Sequence, residues 1–195
     1  MKNVRKVLLA ALVTVAFGML TGCGDDSPSA PAPTTKSVDA TVVAAPPGSP
    51  AGSVATAASV PAIASNGAGT TIPANTVITP EGGSLAAGTI KVSIVTPPAG
   101  GTAGLKPKPG FVLAGAAGGV DISIPGITGF TVPAPGLDVQ IPVTSCTAAS
   151  MPVTVVRASG EVYDTTGTCS SNMVTVKGVT KFSSFIAGAR WATGS

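Results

Sequence analysis

The chain has no histidine. That absence removes the usual general base of a serine or cysteine nucleophile and the commonest ligand of a catalytic metal. A GxSxG elbow, a Ser-x-x-Lys step and a phosphate-cradling P-loop are missing too. Charge is sparse, at 10% of residues. Beyond the N-terminal third the carboxylates are only Glu81, Asp121, Asp138, Glu161 and Asp164. A glycosidase pair is poorly supplied by these, and calcium at Asp164 with Thr165 and Thr166 falls short of the six or so oxygens that ion takes. Aromatics are few: beyond the phenylalanines, stacking on a sugar would fall to Trp191 and Tyr163. No cofactor and no metal is expected, and the sequence predicts no enzyme.

A membrane-spanning run is also lacking. The longest apolar stretch, Val7 to Leu20, has 14 residues, short of the roughly 18 that a spanning helix needs. Lys2, Arg5 and Lys6 precede it and Leu20-Thr21-Gly22-Cys23 follows, the layout of a cleaved export signal. That ending resembles the bacterial lipoprotein class. The resemblance implies a signal peptide over residues 1–22, diacylglyceryl transfer to the Cys23 thiol, cleavage before it and acylation of the new amino terminus. Gly24, standing where an Asp would retain such a protein at the inner membrane, implies onward sorting to an outer membrane. The expected location is therefore the cell envelope, with membrane lipid as a partner through acylated Cys23.

Without residues 1–22 the charge balance changes. The three cations of the signal are the whole of the formal +3, leaving eight basic and eight acidic residues. A chain near neutrality with no basic run has no electrostatic claim on nucleic acid. Only Cys146 and Cys169 remain besides Cys23, without CxxC spacing. In an oxidising compartment such a pair predicts a structural disulfide.

Residues 23–65 are mostly Ala, Pro, Ser, Thr and Val. They read as the anchor cysteine plus a flexible linker, since small side chains offset little of the entropy of ordering. Such a tether would average about 35 Å end to end and reach at most about 140 Å. The alternative within it is a strand over Ser53 to Ala64, using Val54, Val60 and Ile63.

From residue 66 the pattern becomes short alternating runs between Gly and Pro. Ile90, Val92 and Ile94, then Val120, Ile122 and Ile124, then Leu137, Val139, Ile141 and Val143 alternate with polar residues, each placing one face in a core. Further runs at Phe111–Ala114, Val153–Ala158, Glu161–Tyr163, Met173–Lys177 and Phe182–Ala187 complete the set. The prediction is an all-β domain over residues 66–195, an antiparallel β-sandwich of about eight strands. Arg157-Ala158-Ser159-Gly160-Glu161 reads as a hairpin turn, and Phe111, Phe130, Tyr163, Phe182 and Phe185 as core fillers. Thr96–Gly110, rich in Pro and Gly, reads as an exposed loop stiffened by proline, with Lys106 and Lys108 as its only means of recognition.

Thr71-Ile72-Pro73-Ala74-Asn75-Thr76-Val77-Ile78, Gly88-Thr89-Ile90-Lys91-Val92-Ser93, Thr96-Pro97-Pro98 and Val179-Thr180-Lys181-Phe182-Ser183-Ser184-Phe185 occur in an order that resembles a ZU-type domain. That β-sandwich occurs in ankyrins, netrin receptors and bacterial surface lipoproteins. The resemblance implies the sandwich more than any function. With enzyme signatures absent, the leading expectation is a non-catalytic, lipid-anchored structural or interaction module whose partner is another envelope protein, met through sheet edges and loops. Some relatives cut their own chain at His-Phe-Ser. Here the step is Lys181-Phe182-Ser183, so a self-cleaving module acting through Ser183 is the alternative, and it requires a neutral lysine as base.

Overall fold

The structure, a computed structural model, describes residues 31–193. Among the described residues there is no helix; sixteen strands carry the fold. They are β1 (Thr34–Ala44), β2 (Val54–Thr56), β3 (Val60–Ile63), β4 (Gly69–Ile72), β5 (Val77–Glu81), β6 (Gly88–Thr96), β7 (Phe111–Gly115) and β8 (Gly118–Ser123). The second half adds β9 (Gly129–Thr131), β10 (Leu137–Pro142), β11 (Ser150–Val156), β12 (Val162–Ser170), β13 (Met173–Val179), β14 (Lys181–Phe182), β15 (Ser184–Ala187) and β16 (Arg190–Thr193).

The all-β, antiparallel expectation holds. The count does not: fourteen strands join one sheet in the order β14-β9-β5-β2-β1-β6-β8-β15-β11-β12-β13-β10-β4-β3, and β7 and β16 form a separate ribbon. The sheet curls. Strands β14 and β15 are separated only by Ser183, yet β14 pairs with β9 at one extremity while β15 lies between β8 and β11. On the other side Thr144 N donates to Ala117 O at 3.1 Å, drawing the end of β10 to the start of β8.

The linker expectation is corrected from Pro31 onward, where the compact unit begins. Strand β1 pairs with β6 from Thr34↔Thr96 to Val42↔Gly88, so residues 34–65 supply three strands. Tertiary pairing overrides composition here. Only Ala40 and Val42 of β1 are buried, and the backbone ladder does what large side chains do elsewhere. The alternative strand over Ser53 to Ala64 is present as two, β2 and β3. Asp39 and Lys91 face each other across β1 and β6 at 2.7 Å, both well exposed, a pair of little energetic weight.

One core fills the curl, with Phe130, Phe182 and Phe185 among its largest buried side chains. Phe182 stacks on Phe130 at 4.7 Å between centroids and meets the edge of Phe185 at 6.2 Å. Of the other expected core fillers, Tyr163 is half-buried and Phe111 is exposed on the ribbon. Phe111 has apolar neighbours in sequence, but it stands at the head of the ribbon, which is not hydrogen-bonded into the large sheet, and the core does not reach it.

Cys146 and Cys169 are joined, with Cα atoms 5.7 Å apart and a sequence separation of 23. The bond ties the segment after β10 to β12. Replacing both cysteines by alanine is expected to lower stability by about 3 kcal/mol, from the entropy of a loop of this length. Urea unfolding with an unchanged midpoint would show the bond contributes nothing.

Candidate functional site

Glu81, the Arg157–Glu161 turn and Lys181 lie far apart in sequence and come together in space. The hairpin turn after β11 forms as expected: Arg157 N donates to Glu161 O at 2.9 Å and Gly160 N to Arg157 O at 3.0 Å. It aims the Arg157 side chain inward. The guanidinium is 1% exposed, with Nη2 on Glu81 Oε2 and Nε 3.3 Å from Glu161 Oε2. The Nε contact is electrostatic without hydrogen-bond alignment, and Nη1 has no partner. On the outer side Lys181 Nζ donates to Glu161 Oε1 at 2.7 Å. That hydrogen bond, then the charges of Lys181 and Arg157, hold the Glu161 carboxyl below its ordinary range against the opposing effect of desolvation. Tyr163 OH donates to Lys181 O at 3.3 Å, and burial pushes its phenol up.

This cluster borders a cleft of about 290 Å³ where β13 hands over to β14. Glu161, Tyr163, Lys177 and Lys181 line it over a floor that includes Val155 and Phe185. Thr165 and Thr180 add hydroxyls to the lining, which has no Ser, Cys or His, and the Glu161 and Lys181 charges satisfy each other.

The remaining sequence candidates separate. Ser183 is 3% exposed and its Oγ has no hydrogen-bond partner, while its carbonyl accepts from Ile122 N at 3.0 Å. Lys181, the only residue offered as its base, is engaged by Glu161. Cys23 lies outside the described residues. Asp138 Oδ1 accepts from Gly178 N at 3.4 Å and Asp164 Oδ1 from Thr154 Oγ1 at 2.8 Å. Among the described residues no three His, Cys, Asp or Glu side chains form a metal-holding group. Thr154 Oγ1 also accepts from Trp191 Nε1 at 3.2 Å, fastening the ribbon to β11.

Lys106 is not a free loop cation. Its Nζ lies 2.6 Å from Asp121 Oδ1, and the same oxygen accepts from Ser184 Oγ at 2.6 Å. Ser184 Oγ in turn accepts from Lys106 N at 2.8 Å. Asp121 and Ser184 are cross-strand partners on β8 and β15, so the network pins the Pro- and Gly-rich loop to the middle of the sheet. No local pattern marks this network, because Asp121 alternates with Val120 and Ile122 as a solvent-facing residue would.

No family model matches this chain, nor does any curated protein or solved structure. Function therefore has to be read from these residues alone.

The charge cluster makes two predictions. Removing both carboxylates (Glu81→Gln with Glu161→Gln) leaves a buried, unpaired guanidinium and should be strongly destabilising; Arg157→Met leaves two carboxylates that can hydrate and should cost clearly less. Urea unfolding in which Arg157→Met is the more damaging change would contradict this. For pH, the lowered Glu161 group contributes stability above its unfolded value that is lost as pH falls through its folded one, below the usual carboxylate range. Tyr163 acts at the other end: its contribution is intact below about pH 10 and lost as pH rises further. Thermal melting across pH should show both declines, and Glu161→Gln should reduce the acid one.

Proposed function

We propose that this protein is a lipid-anchored lipoprotein of the cell envelope, most specifically of an outer membrane, whose β domain is a non-catalytic structural or interaction module of the ZU-type sandwich kind. The signal over residues 1–22 and acylation at Cys23 rest on the Leu20-Thr21-Gly22-Cys23 sequence. The single observation that carries the non-catalytic reading is the position of Lys181: its Nζ is held by Glu161, leaving the one sequence-suggested nucleophile, Ser183, with no base. A hydroxyl without a base is a poor nucleophile.

One observation favours the alternative of self-cleavage at Phe182–Ser183. Ser183 Oγ is buried and unpartnered, and such groups collect at sites under functional constraint.

Strand addition to the large sheet has little backbone to use. Its terminal strands are β14, two residues long, and β3, four residues long. Strand β3 also carries Pro61, and Lys36 Nζ caps its Ile63 carbonyl at 2.7 Å. Short, capped edges resist pairing, so an envelope partner is met through loops and side chains.

The expected outcomes are two. Cys23→Ser should release the protein from membranes, whereas the parent chain should stay bound through a high-salt wash; equal retention of both would defeat the anchor. Intact mass of the purified protein should show no fragment beginning at Ser183. Its appearance, and its loss in Ser183→Ala, would install the self-cleaving reading instead.

A further inference from the structure

If Cys23 is the acylated residue, the folded unit is held close to the bilayer, not suspended on a long tether. Cys23 and Pro31 are eight residues apart, a reach of at most about 28 Å. The end of the unit nearest the anchor is therefore the end at which β1 starts. Thr34 there stands opposite Thr96, where β6 passes into the Pro- and Gly-rich loop. A Cβ on Gly104 of that loop would lie 3.1 Å from Pro33 Cβ and 2.6 Å from Val95 Cγ1, so the loop lies directly against the chain arriving from the anchor. Leu105, Lys106 and Pro107 continue it to the ribbon, sharing a hollow with Phe111, Val112 and Trp191.

Large apolar side chains are exposed at only three described positions: Val43, Phe111 and Val112. Two of these are consecutive at the head of β7 and leave opposite sides of the ribbon, directly after the turn closed by Phe111 N donating to Lys108 O at 3.1 Å; Lys108 Nζ lies 4.5 Å from the centre of the Phe111 ring. The third, Val43, is at the opposite end of β1, about 30 Å away at the rise of a strand.

We propose that the end of the loop 97–110 and the head of the ribbon β7–β16 form a membrane-contacting tip, with Phe111 and Val112 entering the interfacial layer of the bilayer from either side of the strand and Lys108 meeting lipid phosphate. The inference rests on the lipoprotein reading above. Area decides between occupants. Two partly exposed side chains fall far below the roughly 800 Å² per partner of a stable protein interface. They suffice as a second contact for a domain already tethered, because one lipid signal is reinforced by another and the tether keeps the effective concentration high. A cation beside an aromatic ring also matches the boundary of headgroup and acyl chain.

The test uses the full lipidated chain in vesicles of phosphatidylethanolamine and phosphatidylglycerol, with and without phosphatidylcholine brominated in its acyl chains. Trp191 is the single tryptophan, so Trp191→Phe clears the background. On it, Val112→Trp should lose about half its fluorescence to bromine, consistent with insertion by about 5–10 Å, and Val43→Trp should lose almost none. Phe111→Trp, read the same way, serves if Val112→Trp does not fold. Equal quenching at positions 112 and 43, or none at 112 in a protein that floats with the vesicles, overturns the proposal and leaves the anchor intact. A blue-shifted, concentration-dependent signal at 112 without bromine quenching would assign the ribbon to a second copy and also overturn it. Failure of the parent chain to float would remove the anchor and this inference with it.

Discussion

The contact between Phe182 and Phe130 decides the shape of the whole sheet. Those residues are direct partners on β14 and β9, and their stacked rings fasten the extremity of a fourteen-strand ladder. One residue later the same chain runs through the middle of that ladder as β15. Both pairings can be met only if the sheet curls, and the curl encloses the core. Ser183 sits at the crossing and is buried. Its unpartnered hydroxyl can be understood from this place: strands on either side take the backbone groups, and no polar side chain reaches in.

The second constraint is electrostatic. Arg157 is drawn into the protein by a tight turn and is tolerable there because Glu81 and Glu161 arrive from two directions. Glu161 also holds Lys181, so the start of β14 is tied to the β11–β12 hairpin. The Lys106, Asp121 and Ser184 network does for the long loop what Arg157 does for the hairpin: each fixes a connection that has few apolar side chains of its own.

Each of the eight runs from residue 66 onward corresponds to strand in the structure; in β6, β8 and β10 large aliphatic residues alternate with polar ones, and that period survives without context. Strand β1 is not legible for the opposite reason. Val38, Ala40 and Val42 do alternate with Ser37, Asp39 and Thr41, but such small residues read as linker unless the nine-residue register with β6 is known. Short strands such as β4, β5 and β9 have too few residues to show a period. The Arg157–Glu161 turn was legible from its Ser-Gly pair. Its charge cluster was not, since Glu81 lies 76 positions away from Arg157, and only the folded topology brings the two together.

The long register of β1 against β6 has a mechanical meaning. Whatever holds the chain before Pro31 pulls on β1 first. Tension along the axis of β1 is shared by the rungs between Thr34↔Thr96 and Val42↔Gly88, which resist sliding together. A load from the side would open them one after another from Thr34. A strand that gives the core only Ala40 and Val42 is thus the one that would bear force, and it resists best when the pull follows its own direction.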